Sequence, residues 1–161
     1  MAKYIIIGNS AAANAAAESI RKADPHGDIL MFSKEKVPFY YIPALPEFLS
    51  GEKNLQAITL HDDKWYAANN ILLHLDTEIT SINTTSRTVT SKKGTSYPYD
   101  KLLLATGGYS FIPPIKGADQ EGVYALRTIA DAEIIRESAG SSKDLVLIGG
   151  GLLGLEAGNG L

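Results

Sequence analysis

The sequence predicts an α/β fold with a parallel sheet, a small antiparallel meander and the start of a second strand-turn-helix unit. Two apolar runs, Lys3–Ile7 and residues 145–148, each lead into a turn of glycine or small residues and then a helical segment. Residues 78–97 instead alternate polar and apolar side chains, which is typical of antiparallel strands. The chain therefore contains two copies of one unit with a meander between them.

The first 32 residues have the outline of a β-α-β unit. Lys3–Ile7 is rich in β-branched residues and precedes Gly8, and the alanine-dense stretch Ala11–Ala23 has high helix propensity. The sequence D-P-H-G then breaks the helix, and residues 29–32 form a second apolar run. We therefore predict two buried parallel strands joined by a helix.

The later elements are assigned from shorter signals. Three prolines within residues 37–49 exclude a regular helix through that stretch and predict an aromatic, proline-stiffened connection. A turn is expected at Lys93-Gly94, inside the meander. The remaining predicted elements are parallel strands at residues 71–75 and 101–105, the latter buried, a helix that ends with residues 65–70, a helix at residues 128–138 and a strand at residues 145–148.

The order of these elements predicts three sequence segments. Residues 1–110 form the first nucleotide-binding domain, residues 111–143 form a linker and a helix, and residues 144–161 begin a second domain. The second unit runs out at Leu161 before the strands that would bury its helix. We therefore expect the chain to be the N-terminal part of a longer protein.

Composition excludes several classes of function. The 161 residues are 45% apolar and 20% charged, with a net charge of −3, so we expect a globular domain with no nucleic-acid partner and no membrane partner. The start M-A-K-Y-I-I-I-G contains only a short apolar run, which predicts a cytoplasmic protein. The chain has no cysteine, which excludes disulfides and thiolate chemistry within it.

The second glycine turn carries the more complete motif. Gly149, Gly151 and Gly154 follow a predicted strand, open a predicted helix and have the spacing G-x-G-x-x-G. The first glycine permits the tight turn, the second lets a pyrophosphate approach the backbone, and the third lets helix and strand pack closely. This pattern predicts a dinucleotide site, and a plain glycine turn is the alternative.

The first turn carries a degraded copy of the same motif. Ser10 and Ala13 occupy the places of the second and third glycines after Gly8. The serine adds a side chain near the phosphates, although its hydroxyl can donate a hydrogen bond. Alone, this motif does not decide between a dinucleotide turn and an ordinary one.

Taken together, the two turns and the strand ending L-L-L-A-T-G-G resemble the two-dinucleotide flavoproteins of the pyridine nucleotide-disulfide oxidoreductase family. These include rubredoxin and ferredoxin reductases, NADH oxidases and nitrite reductase flavin domains. The segments F-Y-Y-I-P-A-L-P-E-F-L-S-G-E and D-K-W-Y-A-A-N-N-I are most similar to the rubredoxin reductase and nitrite reductase branch. The resemblance implies a Rossmann-like, three-layer ββα FAD domain followed by the start of a Rossmann-like NAD-binding domain.

The resemblance also implies cofactors and site residues. Its cofactors are FAD and NAD(P)H, and no catalytic residue is identified. The acid expected at the FAD ribose aligns with either Lys34 or Glu35, and a solvated turn at these positions is the alternative. The implied FAD residues are Gly8, Ser10, Ala12 and Ala13 at the pyrophosphate, Glu35 at the ribose, Ile79 by its backbone at the adenine, Thr106 and Gly107 along the cofactor, and Arg127; the implied NAD(P)H residues are Gly149, Gly151, Gly154 and Glu156.

Two positions depart from the family pattern. Ile42 replaces an arginine beside the flavin, and Glu47 stands where ferredoxin reductases carry a lysine. The loss of the arginine would lower the affinity for flavin or its reduction potential, and the carboxylate of Glu47 would disfavour the anionic reduced flavin. The sequence H-D-D at residues 61–63 could bind a metal, but no wider ligand spacing supports this, and we predict no metal site.

The implied function is hydride transfer from NAD(P)H to FAD, with electrons passing to rubredoxin, ferredoxin or a fused nitrite reductase-type module. Quinone and oxygen stay open as acceptors. A homodimer is compatible with the full-length form. A non-catalytic dinucleotide sensor and a flavin monooxygenase are the alternatives. We expect weak or no FAD binding by residues 1–161 alone, so a stoichiometrically yellow fragment would contradict this interpretation.

Overall fold

The computed structural model describes residues 1–142 and 144–161 and has the predicted α/β architecture. These residues fall into two compact units. The first comprises Met1–Tyr40 and Leu60–Gly107, and the second comprises Tyr41–Thr59 and Gly108–Leu161. The domain boundaries predicted after residues 110 and 143 divide the chain into consecutive segments, and they stay a prediction. Lys143, at the second boundary, lies outside the described residues.

A four-stranded parallel sheet forms the centre of the first unit. Its order is β3-β2-β1-β7, so β1 lies between β2 and β7, and Ile5 pairs with Leu30 on one side and with Leu102 on the other. This confirms the predicted parallel strands. The bounds are β1 Lys3–Ile7, β2 Asp28–Phe32, β3 Ile71–His74 and β7 Lys101–Leu104.

Strand β7 is less buried than the sequence predicted. It lies at the edge of the sheet, and β1 is its only neighbour among the described strands. Leu104 is 58% exposed and Leu103 is 37% exposed. The prediction of a buried strand was wrong because an apolar run of this length does not show whether a second strand covers its far side.

Two core clusters give the first unit three layers. Because successive strand residues face opposite sides of a sheet, Ile6 and Met31 pack towards helix α1, Ala11–Ala23. Ile5 and Phe32 pack on the other face, against Val89 of the meander. Helix α4, Asp63–Ala68, supplies Tyr66 to the first cluster. The predicted three-layer ββα sandwich is therefore confirmed.

The antiparallel meander is also confirmed. Its order is β4-β5-β6, and Gly94, with φ of +86°, lies in the turn between the last two strands. Glycine is suited to this turn because side chains disfavour positive φ. The three strands are β4 Ile79–Asn83, β5 Thr88–Ser91 and β6 Ser96–Pro98.

The second unit is helical. The proline-rich connection forms a 3-10 helix, Ile42–Ala44, followed directly by a short α-helix. Pro43 and Pro46 lie in the first turn of these helices, where a backbone N–H has no acceptor within the helix, so the missing N–H of proline breaks no helical hydrogen bond. The α-helices of this unit are α2 Leu45–Leu49, α3 Leu55–Ile58, α5 Ile129–Gly140 and α6 Leu152–Gly160, and α2 packs against both α5 and α6.

The strand predicted at residues 145–148 does not form. None of the described strands pairs with this segment, and its side chains are exposed, Val146 by 86% and Ile148 by 74%. A β-strand requires a hydrogen-bonded neighbour, which an apolar run cannot supply by itself. The glycine turn and helix predicted after it are nevertheless present as Gly149 and α6.

Candidate functional site

The first glycine turn lies where three parallel strands end together. The N–H of Gly8 donates to the carbonyl oxygen of Phe32 at 2.9 Å, and the N–H of Ala105 donates to that of Ile7 at 2.8 Å. Gly8 has φ of +127°, and a Cβ there would lie 2.0 Å from the oxygen of Ala105. Only glycine fits such a close approach between the ends of β1 and β7.

Helix α1 presents its N-terminus just beyond this turn. Ser10 is the N-cap residue and its side chain forms no capping hydrogen bond, and the first turn contains no acidic residue. Ala12 is exposed, whereas Ala13 is buried in the core. The first N–H groups and the positive end of the helix dipole are thus available to an anion such as a pyrophosphate.

The residues after β7 lie beside the same turn. The backbone nitrogen of Thr106 would be 3.3 Å from a Cβ at position 8. Thr106 and Gly107 are exposed, and Gly107 has φ of +67°. The structure therefore brings together Gly8, Ser10, Ala12, Ala13, Thr106 and Gly107, as the sequence predicted for one site.

Glu35 is anchored rather than freely solvated. The hydroxyl of Tyr40 donates to Oε2 of Glu35 at 2.9 Å, and the N–H of Glu35 donates to Oγ of Ser33 at 3.1 Å. Glu35 is half-buried, while its neighbours Lys34 and Lys36 are exposed. A carboxylate held in this way after the end of β2 can accept hydrogen bonds from a ribose.

Ile79 begins β4 of the meander. It pairs with Ser91, and the register shifts between Ile79 and Ser81. Its side chain packs against the cluster of Ile5, Phe32 and Val89. The resemblance assigns the backbone of Ile79, at this irregular start of β4, to the adenine.

A polar network that was not predicted from the sequence lies beneath the first turn. Asn14 is 1% exposed and Tyr66 is 3% exposed, and the Tyr66 hydroxyl lies 2.8 Å from Oδ1 of Asn14 and 2.9 Å from Oδ1 of Asn9. Nδ1 of His61 lies 3.1 Å from the same Asn14 oxygen. In the sequence, Asn14 stands between Ala11–Ala13 and Ala15–Ala17, and an amide inside such an apolar helical run was the signal that could have indicated a structural amide.

The residues next to this network have structural contacts. His61 stacks on Trp65 with ring centroids 3.6 Å apart, and burial lowers the pKa of His61. Asp62 caps α4 by accepting from the N–H of Trp65 at 2.9 Å. Among residues 1–142 and 144–161, no group of three or more His, Asp or Glu side chains could hold a metal ion.

The second glycine turn, in the second unit, opens α6. Gly149 has φ of +114°, and Gly151 is the N-cap residue of the helix. A Cβ on Gly154 would lie 3.3 Å from the oxygen of Gly149, so the helix packs closely on its own turn. Glu156 is exposed on the next turn of α6. The glycine turn and the start of the helix are thus present among the described residues without the strand that the fingerprint places before them. The assignment of the three glycines to a dinucleotide stays a prediction.

Arg127, also in the second unit, precedes α5. Its side chain is exposed, and its backbone N–H donates to Oδ2 of Asp131 at 3.1 Å. Thr128 and Asp131 form a reciprocal capping box that begins the helix. The backbone of Arg127 is therefore fixed while its side chain is exposed.

Glu47, where the family pattern has a lysine, is paired within its own unit. Nζ of Lys53 lies 2.7 Å from its carboxylate, and this contact raises the pKa of Lys53. Both side chains are about two-fifths exposed. The lysine therefore offsets part of the negative charge at position 47.

Within the described part of the chain, no helix is long and apolar enough to cross a membrane.

Comparisons with known proteins identify relatives over the whole chain. A family model described as pyridine nucleotide-disulphide oxidoreductase matches residues 2–160. The nitrite reductase [NAD(P)H] of Bacillus subtilis is 39% identical over 160 residues, which are 99% of this chain and 20% of that protein. The rubredoxin-NAD(+) reductase of Pseudomonas putida is 37% identical over 94% of this chain and 40% of that protein.

Solved structures show the same fold. The NADH:rubredoxin oxidoreductase of Clostridium acetobutylicum superposes with a TM-score of 0.86 and 31% identity, over 99% of this chain and 41% of that one. This chain thus spans between a fifth and two fifths of the length of the relatives named here. They come from the rubredoxin reductase and nitrite reductase groups, to which the sequence resemblance pointed.

Proposed function

Because the chain belongs to the pyridine nucleotide-disulphide oxidoreductase family, we propose that it is the N-terminal part of an FAD-dependent NAD(P)H oxidoreductase. The observation that carries the proposal is the first turn. There, a glycine that tolerates no Cβ and an open helix N-terminus meet at the ends of β1 and β7. A backbone this close to a helix N-terminus suits a pyrophosphate.

The residues present fit FAD as the ligand of the first unit. Gly8, Ser10, Ala12 and Ala13 would hold the pyrophosphate through backbone N–H groups, since no acidic side chain in the first turn of α1 opposes an anion. The Tyr40 hydroxyl orients the Glu35 carboxylate, which would accept from ribose hydroxyls. The remaining FAD residues of the first unit in the proposal are Ile79 at the adenine and Thr106 and Gly107 along the cofactor. Arg127 belongs to the second unit, and its assignment to FAD rests on the sequence resemblance alone.

The second turn would hold NAD(P)H. Gly149, Gly151 and Gly154 would bring the helix N-terminus of α6 close to its pyrophosphate, and Glu156 would face the nicotinamide side. When bound, FAD accepts a hydride from NAD(P)H and passes the electrons on. The protein residues bind and orient the two dinucleotides.

The absence of cysteine bears on how electrons leave the flavin. The 161 residues contain no cysteine, so no thiol within them relays electrons. We propose that electrons pass to a redox protein such as rubredoxin or ferredoxin, or to a fused nitrite reductase-type module. Support comes from the names of the relatives, which include a rubredoxin reductase and a nitrite reductase. The cytoplasmic location and the homodimer stay predictions from the sequence.

Anaerobic titration of the full-length protein with NADH and NADPH tests the proposal. Bleaching of a bound flavin, followed by reduction of rubredoxin or ferredoxin, is the expected result. Binding of the nucleotide without any flavin in the protein would contradict it and support the alternative of a non-catalytic dinucleotide sensor. Stopped-flow absorbance measures both the bleaching and its rate.

A further inference from the structure

A buried hydrogen-bond network lies directly behind the first turn and has no part in the function proposed above. Nδ2 of Asn14 lies 3.1 Å from the backbone oxygen of Asn9 and 3.2 Å from its Oδ1. It also lies 3.1 Å from the backbone oxygen of Ser10. One amide group on α1 is thus bonded to two consecutive residues of the turn.

We propose that Asn14 and Tyr66 are positioning residues that aim the N–H of Ser10 at the pyrophosphate of the bound dinucleotide. This inference rests on the proposed function of the first turn. Neither residue would touch the ligand. Asn14 contacts the peptide bond between Asn9 and Ser10 directly, and Tyr66 acts on it through the side chains of Asn14 and Asn9.

The orientation of that peptide follows from its planarity. The chain has no cis peptide bond among its described residues, so the C=O and N–H of each peptide point in opposite directions. Asn14 holds the carbonyl of Asn9 towards the buried interior. The N–H of Ser10 must therefore point away from the interior, towards the open side of the helix N-terminus. Without the hydrogen bond from Asn14, this peptide could rotate, and the N–H of Ser10 would no longer be held in a direction that suits a ligand.

The contacts around Asn14 determine which way its amide faces. The three groups near Nδ2 are all oxygens, so an exchange of Nδ2 and Oδ1 would set an acceptor against three acceptors. On the other side, Oδ1 receives the Tyr66 hydroxyl at 2.8 Å and faces Nδ1 of His61 at 3.1 Å. The amide thus has one satisfactory orientation.

Tyr66 is suited to keep that orientation. Burial raises the pKa of Tyr66 to about 12, so its hydroxyl retains the proton that it donates to Asn14 or Asn9. The hydroxyl has both asparagine oxygens within hydrogen-bond distance. Removing it would take away one of the two contacts, with Tyr66 and His61, that hold Oδ1 of Asn14.

The test compares Asn14→Asp and Tyr66→Phe with Tyr4→Phe in the full-length protein. Asn14→Asp replaces the donating NH₂ by an oxygen, and Tyr66→Phe removes only the hydroxyl. Tyr4→Phe is the matched control because the Tyr4 hydroxyl donates to Asp24 at 3.0 Å, at the opposite ends of β1 and α1. All three changes remove hydrogen bonds from the first unit, but only two affect the turn.

The measurements are the Kd of the flavin-free protein for FAD and ADP, and the ³¹P chemical shifts of the bound pyrophosphate. Asn14→Asp should weaken both ligands by about tenfold or more, and Tyr66→Phe by about threefold to tenfold, where tenfold is about 1.4 kcal/mol. Both should move the ³¹P shifts, whereas Tyr4→Phe should change stability alone.

The possible results separate this inference from the function on which it rests. Wild-type Kd and ³¹P shifts in both network variants would overturn the inference and leave the proposed function intact. The same would hold if Asn14→Asp failed to fold and Tyr66→Phe bound FAD like Tyr4→Phe. A wild-type protein that binds neither FAD nor ADP would overturn the proposed function, and the inference with it.

Discussion

Replacing Gly8 by alanine tests the close approach between the ends of β1 and β7. A Cβ at position 8 would lie 2.0 Å from the oxygen of Ala105, whereas unbonded carbon and oxygen atoms rest at about 3.3 Å or more. The two strand ends must therefore separate by about 1.3 Å (3.3 − 2.0). The neighbouring hydrogen bond from Ala105 to Ile7, now 2.8 Å, would stretch beyond its usual range.

The expected cost has two parts. Alanine at a positive φ, here +127°, costs about 1–3 kcal/mol in backbone strain. Breaking the hydrogen bond between Ile7 and Ala105, which are both half-buried, costs about 0.5–1.5 kcal/mol more. The sum of about 1.5–4.5 kcal/mol is a large fraction of the usual stability of a domain, about 5–15 kcal/mol.

Urea denaturation, with hydrogen–deuterium exchange to localise the loss, measures this cost. Gly94→Ala is the matched control, because Gly94 also has a positive φ, of +86°, but no atom lies within 4 Å of its added Cβ. The control should lose only the strain energy. Equal losses for the two variants, or unchanged exchange in peptides that cover β1 and β7, would refute the reasoning.

Two further predictions concern other parts of the chain. Burial lowers the pKa of His74, whose Nε2 has no hydrogen-bond partner among the described residues. Below about pH 6.5 this side chain therefore binds a proton in the unfolded protein that it does not bind in the folded one. His74 should make stability fall as the pH drops below about 6.5, and its own contribution is at most about 1.4 kcal/mol per pH unit. Urea midpoints from pH 7.5 to 5 should show a shallower fall for His74→Phe, and parallel profiles would exclude His74 as the cause. Thr128→Ala removes one half of the capping box of α5 and should destabilise the second unit by about 1 kcal/mol; Thr128→Ser, which keeps the hydroxyl, should lose less, and an equal loss would contradict a capping role.

Much of the first unit could be predicted because its signals are local. A β-branched run, a glycine and an alanine-rich stretch specify β1, the turn and α1 within 23 residues. The same reasoning was wrong about residues 145–148 and about the burial of β7. Burial and pairing depend on neighbouring strands, which periodicity within one segment does not reveal.

Some residues of the candidate site could be proposed from the sequence, and others could not. The spacing of small residues predicted Gly8, Ser10 and the glycines of the second turn. The network of Asn14 and Tyr66 was missed because these residues are 52 positions apart, and neither the turn motif nor the segment D-K-W-Y-A-A-N-N-I indicates that their side chains meet. For Glu35 the sequence left two interpretations, and the hydrogen bond from Tyr40 now favours a held carboxylate.

The contact between Gly8 and Ala105 also has a consequence for the order of folding. The first turn reaches its final shape only when a strand from the far end of the unit has docked beside β1. Parallel pairing between segments so distant in sequence is slow, because loop closure precedes the contacts that stabilise it. During synthesis the turn is made before β7 and is completed only after β7 has been made. If FAD binds at this turn as proposed, it binds after β7 has joined the sheet.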